Sequence, residues 1–236
     1  MPKQPFLSYI SIRNSPEGAT EYPFNLPFLK DGLELKLEKN VTFLVGENGT
    51  GKSTILEAIA SKIGFNPSGG GRNHHYESAE KESELAKYTY LGWTPNRINE
   101  GFFLRAESFF NFASYIDETG SKRYGKPLLN HSHGESFLAL FQNNFQFGIY
   151  LLDEPEAALS PRRLLELLAI MHTLEQGGEA QFIIITHSPI LMSYPFGQIL
   201  SLDYDKPKVI TYQETDHYQF TKSFLESPEA YFRHLF

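Results

Sequence analysis

The chain has 236 residues, no cysteine and a net charge of −7, which results from 21 basic and 28 acidic residues. The absence of cysteine excludes a disulfide framework and a cysteine-ligated zinc site, and the acidic balance argues against binding of nucleic acid over the whole surface. No apolar run approaches the roughly 20 residues that span a bilayer, and none is typical of a signal peptide, so we expect a cytoplasmic protein.

Apolar segments divide the first part of the chain into strands and one clear helix. Aliphatic, β-branched and aromatic residues predict strands at 7–12, 33–37 and 41–45, and a glycine directly follows the last of these. Apolar residues at helical spacing predict a helix at 52–63. A charged surface helix is predicted at 79–86, after a glycine-rich loop.

The second part of the chain continues this alternation. The predicted strands are residues 102–104, 147–152, 181–186, 199–202 and 208–212. The predicted helices are residues 107–117, 134–142, 161 to the glycine pair at 177–178, 221–225 and 227–235. Apolar strands that alternate with helices indicate an α/β fold with a mostly parallel central sheet.

A phosphate-binding pattern directly follows the predicted strand at 41–45. Residues 46–53, GENGTGKS, match G-x-x-x-x-G-K-[ST] between a strand and a helix, which is the context that the pattern requires. Glycines let backbone N–H groups turn toward phosphates, and the helix dipole adds to the attraction. We expect Lys52 to reach the β- and γ-phosphates, Ser53 to bind Mg²⁺ and Thr54 to contact the α-phosphate. The expected phosphate-binding residues are Gly46, Glu47, Asn48, Gly49, Thr50, Gly51, Lys52, Ser53 and Thr54.

Two carboxylates follow the predicted strand at 147–152. Asp153 and Glu154 would lie at the C-terminal end of that strand, where ligands of parallel sheets bind. We expect Asp153 to hold Mg²⁺, directly or through water. Glu154 is placed to act as the general base toward an attacking water. Together with the phosphate loop, this pair predicts a site that binds and hydrolyses ATP.

Five segments stand in a fixed order along the chain: FLVGENGTGKST at 43–54, SHGES at 132–136, YLLDEPE at 150–156, AALS at 157–160 and THS at 186–188. This ordered set resembles the ABC-type ATPases, in particular their SMC/RecF-like branch, over nearly the whole chain. The resemblance implies a P-loop NTPase fold with an ABC-type ATPase core, a small N-terminal β-region and a short helical insert at about 107–146. It also implies that residues 1–236 form a single domain.

The resemblance implies further site residues. His187 would be the switch histidine that senses the γ-phosphate, and Glu107 would contact Mg²⁺. Arg13 and Asn14 would approach the nucleotide from the end of the first strand. The segment at 132–136 would bind the γ-phosphate of ATP held by a second subunit, which implies a head-to-tail homodimer around two ATP molecules. Its contacting residues would be Ser132, Gly134 and Glu135.

These features favour an ATP-driven switch that acts on nucleic acid or on a protein partner. Only 24 residues separate Glu107 from Ser132, which excludes the long coiled coil of an SMC protein proper. The alternative is the ATP-binding subunit of a membrane ABC transporter, although the usual transporter signature with paired glycines is missing. A GTPase or small-molecule kinase is disfavoured, because the Asn-Lys-x-Asp guanine motif is absent. A role in toxin–antitoxin or phage-defence systems rests on analogy alone.

Overall fold

The structure of the protein is a computed structural model. It describes residues 4–13, 16, 21–29, 32–66, 69–71, 83–95, 98, 100–106, 109, 113–114, 117, 136–138, 140–141, 147–233 and 235–236. The strands are β1 (Leu7–Ile12), β2 (Leu33–Lys36), β3 (Val41–Val45), β4 (Thr89–Trp93), β5 (Gly101–Arg105), β6 (Gly148–Asp153), β7 (Ala180–Ile185), β8 (Gln198–Ser201) and β9 (Lys208–Ile210). The α-helices with defined bounds are α1 (Lys52–Ile63), α2 (Pro161–Gly177), α3 (Pro189–Met192), α4 (Asp216–Glu226) and α5 (Pro228–Phe232).

The central sheet is mostly parallel, as the sequence predicts. Its strands stand in the order β5-β6-β7-β3-β8-β9, and every neighbouring pair is parallel except β8 and β9. Strand β3 therefore lies inside the sheet, between β7 and β8. Because the parallel strands point the same way, their C-terminal ends share one edge, which is where α/β proteins bind ligands.

Strands β3, β6 and β7 of the central sheet are buried on both faces, which explains why they are continuous apolar runs. In β3, Phe43 packs into one core together with residues of α2, whereas Leu44 packs into the other core together with residues of α1. The first core also includes Phe137 and Phe141, which lie in described helical residues of the predicted insert. The second core includes the apolar face of the N-terminal strands.

A small antiparallel sheet in the order β2-β1-β4 forms the predicted N-terminal β-region. Strand β4 was not predicted, because its burial pattern does not alternate and Tyr90 is exposed. The strand fits against β1 at Gly92, where an added Cβ would lie 2.9 Å from Cβ of Tyr9. Glycine is therefore required at this crossing for steric reasons.

Gln181 connects this small sheet to the central sheet. The Leu7 backbone N–H donates to Gln181 Oε1 at 2.8 Å, and Gln181 Nε2 donates to the Leu7 carbonyl at 2.7 Å. Gln181 and Leu7 are both completely buried. The Gln181 side-chain amide, in the central sheet, thus satisfies both backbone groups of Leu7 in the small sheet.

The helix predictions are confirmed in most places, with two differences in extent and one helix that was not predicted. The predicted charged helix at 79–86 is described only from residue 83 onward, where Glu84–Tyr88 forms a 3₁₀ helix. The predicted helix at 221–225 belongs to the longer α4, because the Thr215 hydroxyl accepts from the Tyr218 N–H and caps the helix at an earlier point. The short α3 was not predicted. Most of the predicted helix at 107–117 lies outside the described residues.

Among the helices within the described part of the chain, none combines the length and the apolarity needed to cross a membrane.

Candidate functional site

The phosphate loop follows β3 and ends at the start of α1. Three of its residues, Gly46, Gly49 and Gly51, have positive φ angles of 151°, 84° and 81°. At Gly46 an added Cβ would also lie only 3.0 Å from Asp203 Oδ1 and 3.1 Å from Thr50 Oγ1. The N-cap of α1 is Gly51, which has no side chain to cap the first-turn amides. The loop is therefore shaped to present backbone N–H groups to an anion.

The Lys52 ammonium group is held inside this loop. Its Nζ donates to the carbonyls of Gly46 at 2.6 Å and Glu47 at 2.8 Å. Lys52 is buried, and burial lowers the pKa of its ammonium group, against the opposing attraction of Asp203, Glu154 and Asp153. A phosphate that enters the loop would give this charge a stronger partner than two neutral carbonyls.

Ser53 and Asp153 bring oxygen atoms from α1 and β6 together. The Ser53 hydroxyl donates to Asp153 Oδ1 at 3.2 Å, and Arg105 Nε lies 3.7 Å from Asp153 Oδ2. Burial raises the pKa of Asp153 to about 6, although Arg105 and Ser53 act in the opposite direction. A hydroxyl and a carboxylate at the end of a buried strand are hard oxygen ligands, so these residues fit Mg²⁺ that also binds phosphate and water.

Glu154 and His187 face each other at the ends of β6 and β7. The distance from His187 Nε2 to Glu154 Oε1 is 3.4 Å. Glu154 has a φ of 50°, a left-handed conformation that is costly for a residue with a side chain and that concentrates at functional sites. Burial, followed by the charge of Lys52, lowers the pKa of His187. His187 Nε2 is buried and makes no hydrogen bond among the described residues.

Glu156 supports the loop that carries His187. Its Oε1 atom accepts from the Thr186 hydroxyl at 2.7 Å and from the backbone N–H groups of His187 at 2.5 Å and Ser188 at 3.1 Å. Burial raises the pKa of Glu156, whereas the hydrogen bonds from Thr186 and His187 lower it. Its carboxylate therefore ties the segment after β6 to the segment after β7.

A cavity of about 550 Å³ lies between the phosphate loop and α4. Asp203 lies on its wall and accepts from the Glu47 N–H at 2.7 Å, so the end of β8 also fixes the loop. On the opposite wall, His217 of α4 places Nε2 at 2.6 Å from His187 Nδ1. Burial, followed by the charge of His187, lowers the pKa of His217.

The structure brings together most of the predicted site residues that it describes. The phosphate-loop residues, Asp153, Glu154 and His187 lie at one edge of the sheet. Among the described residues, Arg13 makes its contacts away from this edge. Its Nη2 lies 2.6 Å from Glu34 Oε1 and donates to the Tyr9 hydroxyl at 2.9 Å. The predicted site residues outside the described part of the chain are Asn14, Glu107, Ser132, Gly134 and Glu135.

Sequence reasoning missed Glu156, Asp203, His217 and Tyr22, whose hydroxyl is hydrogen-bonded to Thr54 Oγ1. Asp203 could have been found by the rule that identified Asp153, because it directly follows the predicted strand at 199–202. His217 and Tyr22 have no motif around them. Glu156 stands inside a recognised motif, but its partners come from a segment about 30 residues later in the chain.

Two solved structures are similar to this chain. CbiO1 from Clostridium perfringens, part of the ABC transporter complex CbiONQ, is 15% identical to this chain with a TM-score of 0.52, and the match covers 97% of this chain and 98% of that chain. The SMC head domain from Thermotoga maritima is 15% identical with a TM-score of 0.47, over 87% of this chain and 98% of its own. At such low identity, the likeness to CbiO1 shows a shared fold.

The phosphate loop and the carboxylates at the end of β6 define a P-loop ATPase, an enzyme that hydrolyses ATP, and its fold is the one that ABC-type ATPases share. A family model described as an AAA domain matches residues 25–144, about half of the chain, and the chain belongs to that family. A second model, described as "AAA domain, putative AbiEii toxin, Type IV TA system", matches residues 128–193. No curated protein matches the sequence.

Proposed function

We propose that this ATPase closes as a head-to-tail homodimer around two Mg-ATP molecules and acts as a switch on nucleic acid or on a protein partner. The observation that carries the proposal is the convergence of the phosphate loop, Asp153, Glu154 and His187 at one edge of the central sheet. The phosphate loop follows β3, Asp153 and Glu154 lie at the end of β6, and His187 follows β7. An ATP molecule bound at these three strand ends would contact all of these groups.

The proposed chemistry assigns one role to each side chain. Lys52 leaves the carbonyls of Gly46 and Glu47 and neutralises charge on the β- and γ-phosphates. Ser53 and Asp153 would hold Mg²⁺, which supplies further charge neutralisation to the phosphates.

Glu154 accepts a proton from the attacking water, and its carboxylate is suited to this role because its side chain is about half exposed, at 48%. His187 donates from Nε2 to a γ-phosphate oxygen, which gives this buried nitrogen a hydrogen-bond partner. His187 Nε2 lies 3.4 Å from Glu154 Oε1, so an ATP molecule bound at this edge of the sheet would meet both groups.

The proposed dimer would complete each site with residues from a second copy. The segment of Ser132, Gly134 and Glu135 would face the γ-phosphate bound by the other chain, as the resemblance implies. Gly46, Glu47 and Asn48 of the phosphate loop line the cavity beside it.

The experiment that tests the proposal is the solution mass of Glu154→Gln with and without Mg-ATP. The variant should bind ATP without hydrolysing it, so a dimer should accumulate only when Mg-ATP is present. The double variant with Lys52→Ala is the matched control and should stay monomeric. A mass that ATP does not change, with ATP binding intact, would contradict the dimer.

The match to CbiO1 over nearly the whole of both chains also supports a second candidate, the ATP-binding subunit of a membrane transporter. The two candidates differ in where the chain is found after cell lysis and high-speed centrifugation. A transporter subunit should sediment with membranes and be released by detergent. A switch that acts on nucleic acid or a protein partner should stay in the supernatant, and its ATP hydrolysis should respond to DNA or to that partner.

A further inference from the structure

Glu156 is a partly buried carboxylate to which the proposed hydrolysis assigns no role. It lies on the 3₁₀ helix Pro155–Ala158, two residues after Glu154. No cation pairs with it among the described residues; instead, one of its oxygens accepts three hydrogen bonds. All three donors belong to Thr186, His187 and Ser188, the segment directly after β7.

The geometry of these bonds fixes the backbone of His187 rather than its ring. Glu156 Oε1 lies 2.5 Å from the His187 backbone nitrogen and 3.1 Å from that of Ser188. The Thr186 hydroxyl donates to the same oxygen at 2.7 Å and accepts from the Ser188 N–H at 3.0 Å. Short hydrogen bonds to a carboxylate are stronger than those between neutral groups, so the three residues form one constrained turn.

The same short helix is also hydrogen-bonded to the backbone of Glu154. The Ala157 N–H donates to the Glu154 carbonyl at 3.0 Å, and the Glu154 N–H donates to the Ile185 carbonyl at 3.0 Å. Glu154 and His187 are thus connected twice: through their side chains at 3.4 Å and through Glu156 and the backbone. A displacement of either strand end would change the distance between the two reacting groups.

We propose that Glu156 is a positioning residue that holds His187 at the distance from Glu154 that ATP hydrolysis requires. The inference rests on the proposed function of that site. Glu156 itself does not touch the nucleotide; it acts through the backbone of His187. A purely structural carboxylate would contribute to folding, and its removal would leave kcat and KM for ATP of the folded protein unchanged.

The test compares Glu156→Ala with Glu156→Gln in the full-length chain. The glutamine variant keeps an acceptor oxygen at the same reach, whereas alanine removes it. In Glu156→Ala, kcat should fall about 10- to 100-fold, because small displacements of a reacting group have effects of this size, while KM for ATP stays unchanged. In Glu156→Gln, kcat should keep most of its wild-type value.

Hydrogen exchange supplies a readout that does not depend on activity. The His187 and Ser188 amides should exchange faster in Glu156→Ala than in the wild type and in Glu156→Gln. The matched control is Glu175→Ala, which removes a glutamate that is buried near Tyr194 on a different helix. This control should leave kcat and the exchange of both amides unchanged.

A double variant shows whether Glu156 acts through His187. In a His187→Ala background, adding Glu156→Ala should change kcat by less than about twofold, because residues that act through one another are not additive. Equal effects of Glu156→Ala in both backgrounds would overturn the inference, and so would an unchanged kcat in Glu156→Ala. If this variant does not fold, Glu156→Asp, which shortens the side chain by one methylene, is tested by the same criteria.

A failure of the proposed function can be distinguished from a failure of the role proposed for Glu156. If Glu154→Gln or Lys52→Ala hydrolyses ATP as fast as the wild type, the site assignment itself is wrong. If those variants are inactive and Glu156→Ala is fully active, the site assignment stands and only the positioning role of Glu156 is lost.

Discussion

His217 on α4 places its Nε2 atom 2.6 Å from Nδ1 of His187. One ring must donate a proton and the other must accept it, so the contact requires at least one neutral imidazole. Helix α4 therefore contributes to the proposed catalytic site through a histidine that has no motif around it. A neutral His187 that donates from Nε2 accepts at Nδ1, so His217 would then be the donor in this contact.

We predict that both rings titrate below their usual pKa of 6.5, His187 because of burial and the charge of Lys52, and His217 because of burial and the charge of His187. Because the folded protein disfavours the charged forms, the stability that the contact contributes is fully present above pH 6.5 and is lost as the pH falls through the lowered pKa values. NMR titration of the histidine ring carbons measures this, and a pKa at or above 6.5 for either ring would contradict it. In His217→Gln, His187 should titrate closer to 6.5 because it is less buried.

Lys52→Ala should abolish tight binding of ATP. The loss of two charge-assisted hydrogen bonds to phosphate corresponds to a decrease in affinity of about 100-fold or more. Isothermal titration with ATP measures the change, and Lys62→Ala, in the last turn of the same helix, is the matched control. A normal ATP affinity in Lys52→Ala would show that the loop does not bind the phosphates.

Asp153→Asn should change how stability depends on pH in the absence of metal. The pKa of Asp153 is raised from 3.8 to about 6, mainly by burial, so the folded protein binds the proton more tightly than the unfolded chain. The resulting stabilisation is fully present below pH 3.8 and is lost as the pH rises through about 6.

The raised pKa corresponds to a change of at most about 3 kcal/mol in the free energy of unfolding. It is measured by urea unfolding in EDTA, in which the free energy of unfolding of the wild type should decline across this range relative to that of Asp153→Asn. Parallel curves for the two proteins would mean that the pKa of the Asp153 carboxyl group is not raised in the folded protein.

Gln181→Leu should destabilise the fold without touching the site. The substitution leaves the Leu7 N–H and carbonyl buried without their partners, at a cost of about 1–3 kcal/mol for each group. Urea unfolding should show this loss, whereas Gln213→Leu at an exposed position should change stability by less than about 0.5 kcal/mol. Equal stability of Gln181→Leu and the wild type would mean that the two sheets are held together by other contacts.

The sequence was sufficient for the elements with a strong local pattern. Strand β3, the phosphate loop and α1 were predicted with the bounds that the structure has, because an apolar run, a glycine motif and a helical periodicity follow one another there. Strand β4 was missed because its stability comes from pairing with β1, which local composition does not show.

Within the site, the residues that belong to motifs were found and the residues that support them were not. Asp153 and His187 follow apolar strands, so their place at the sheet edge could be predicted. The roles of Glu156 and His217 depend on which strands and helices become neighbours. That information is contained in the order of the sheet and in the packing of α4, neither of which a single sequence displays.

The place of β3 inside the sheet has a consequence for the order of assembly during synthesis. Val41 pairs with Phe182 and Thr42 pairs with Gln198, so both neighbours of β3 are translated long after it. A ribosome-bound chain that already contains the whole phosphate loop still lacks the strands that hold this loop in place. Because a ligand stabilises only the state that binds it, ATP can favour folding only at the last stage, after β7 and β8 have joined the sheet.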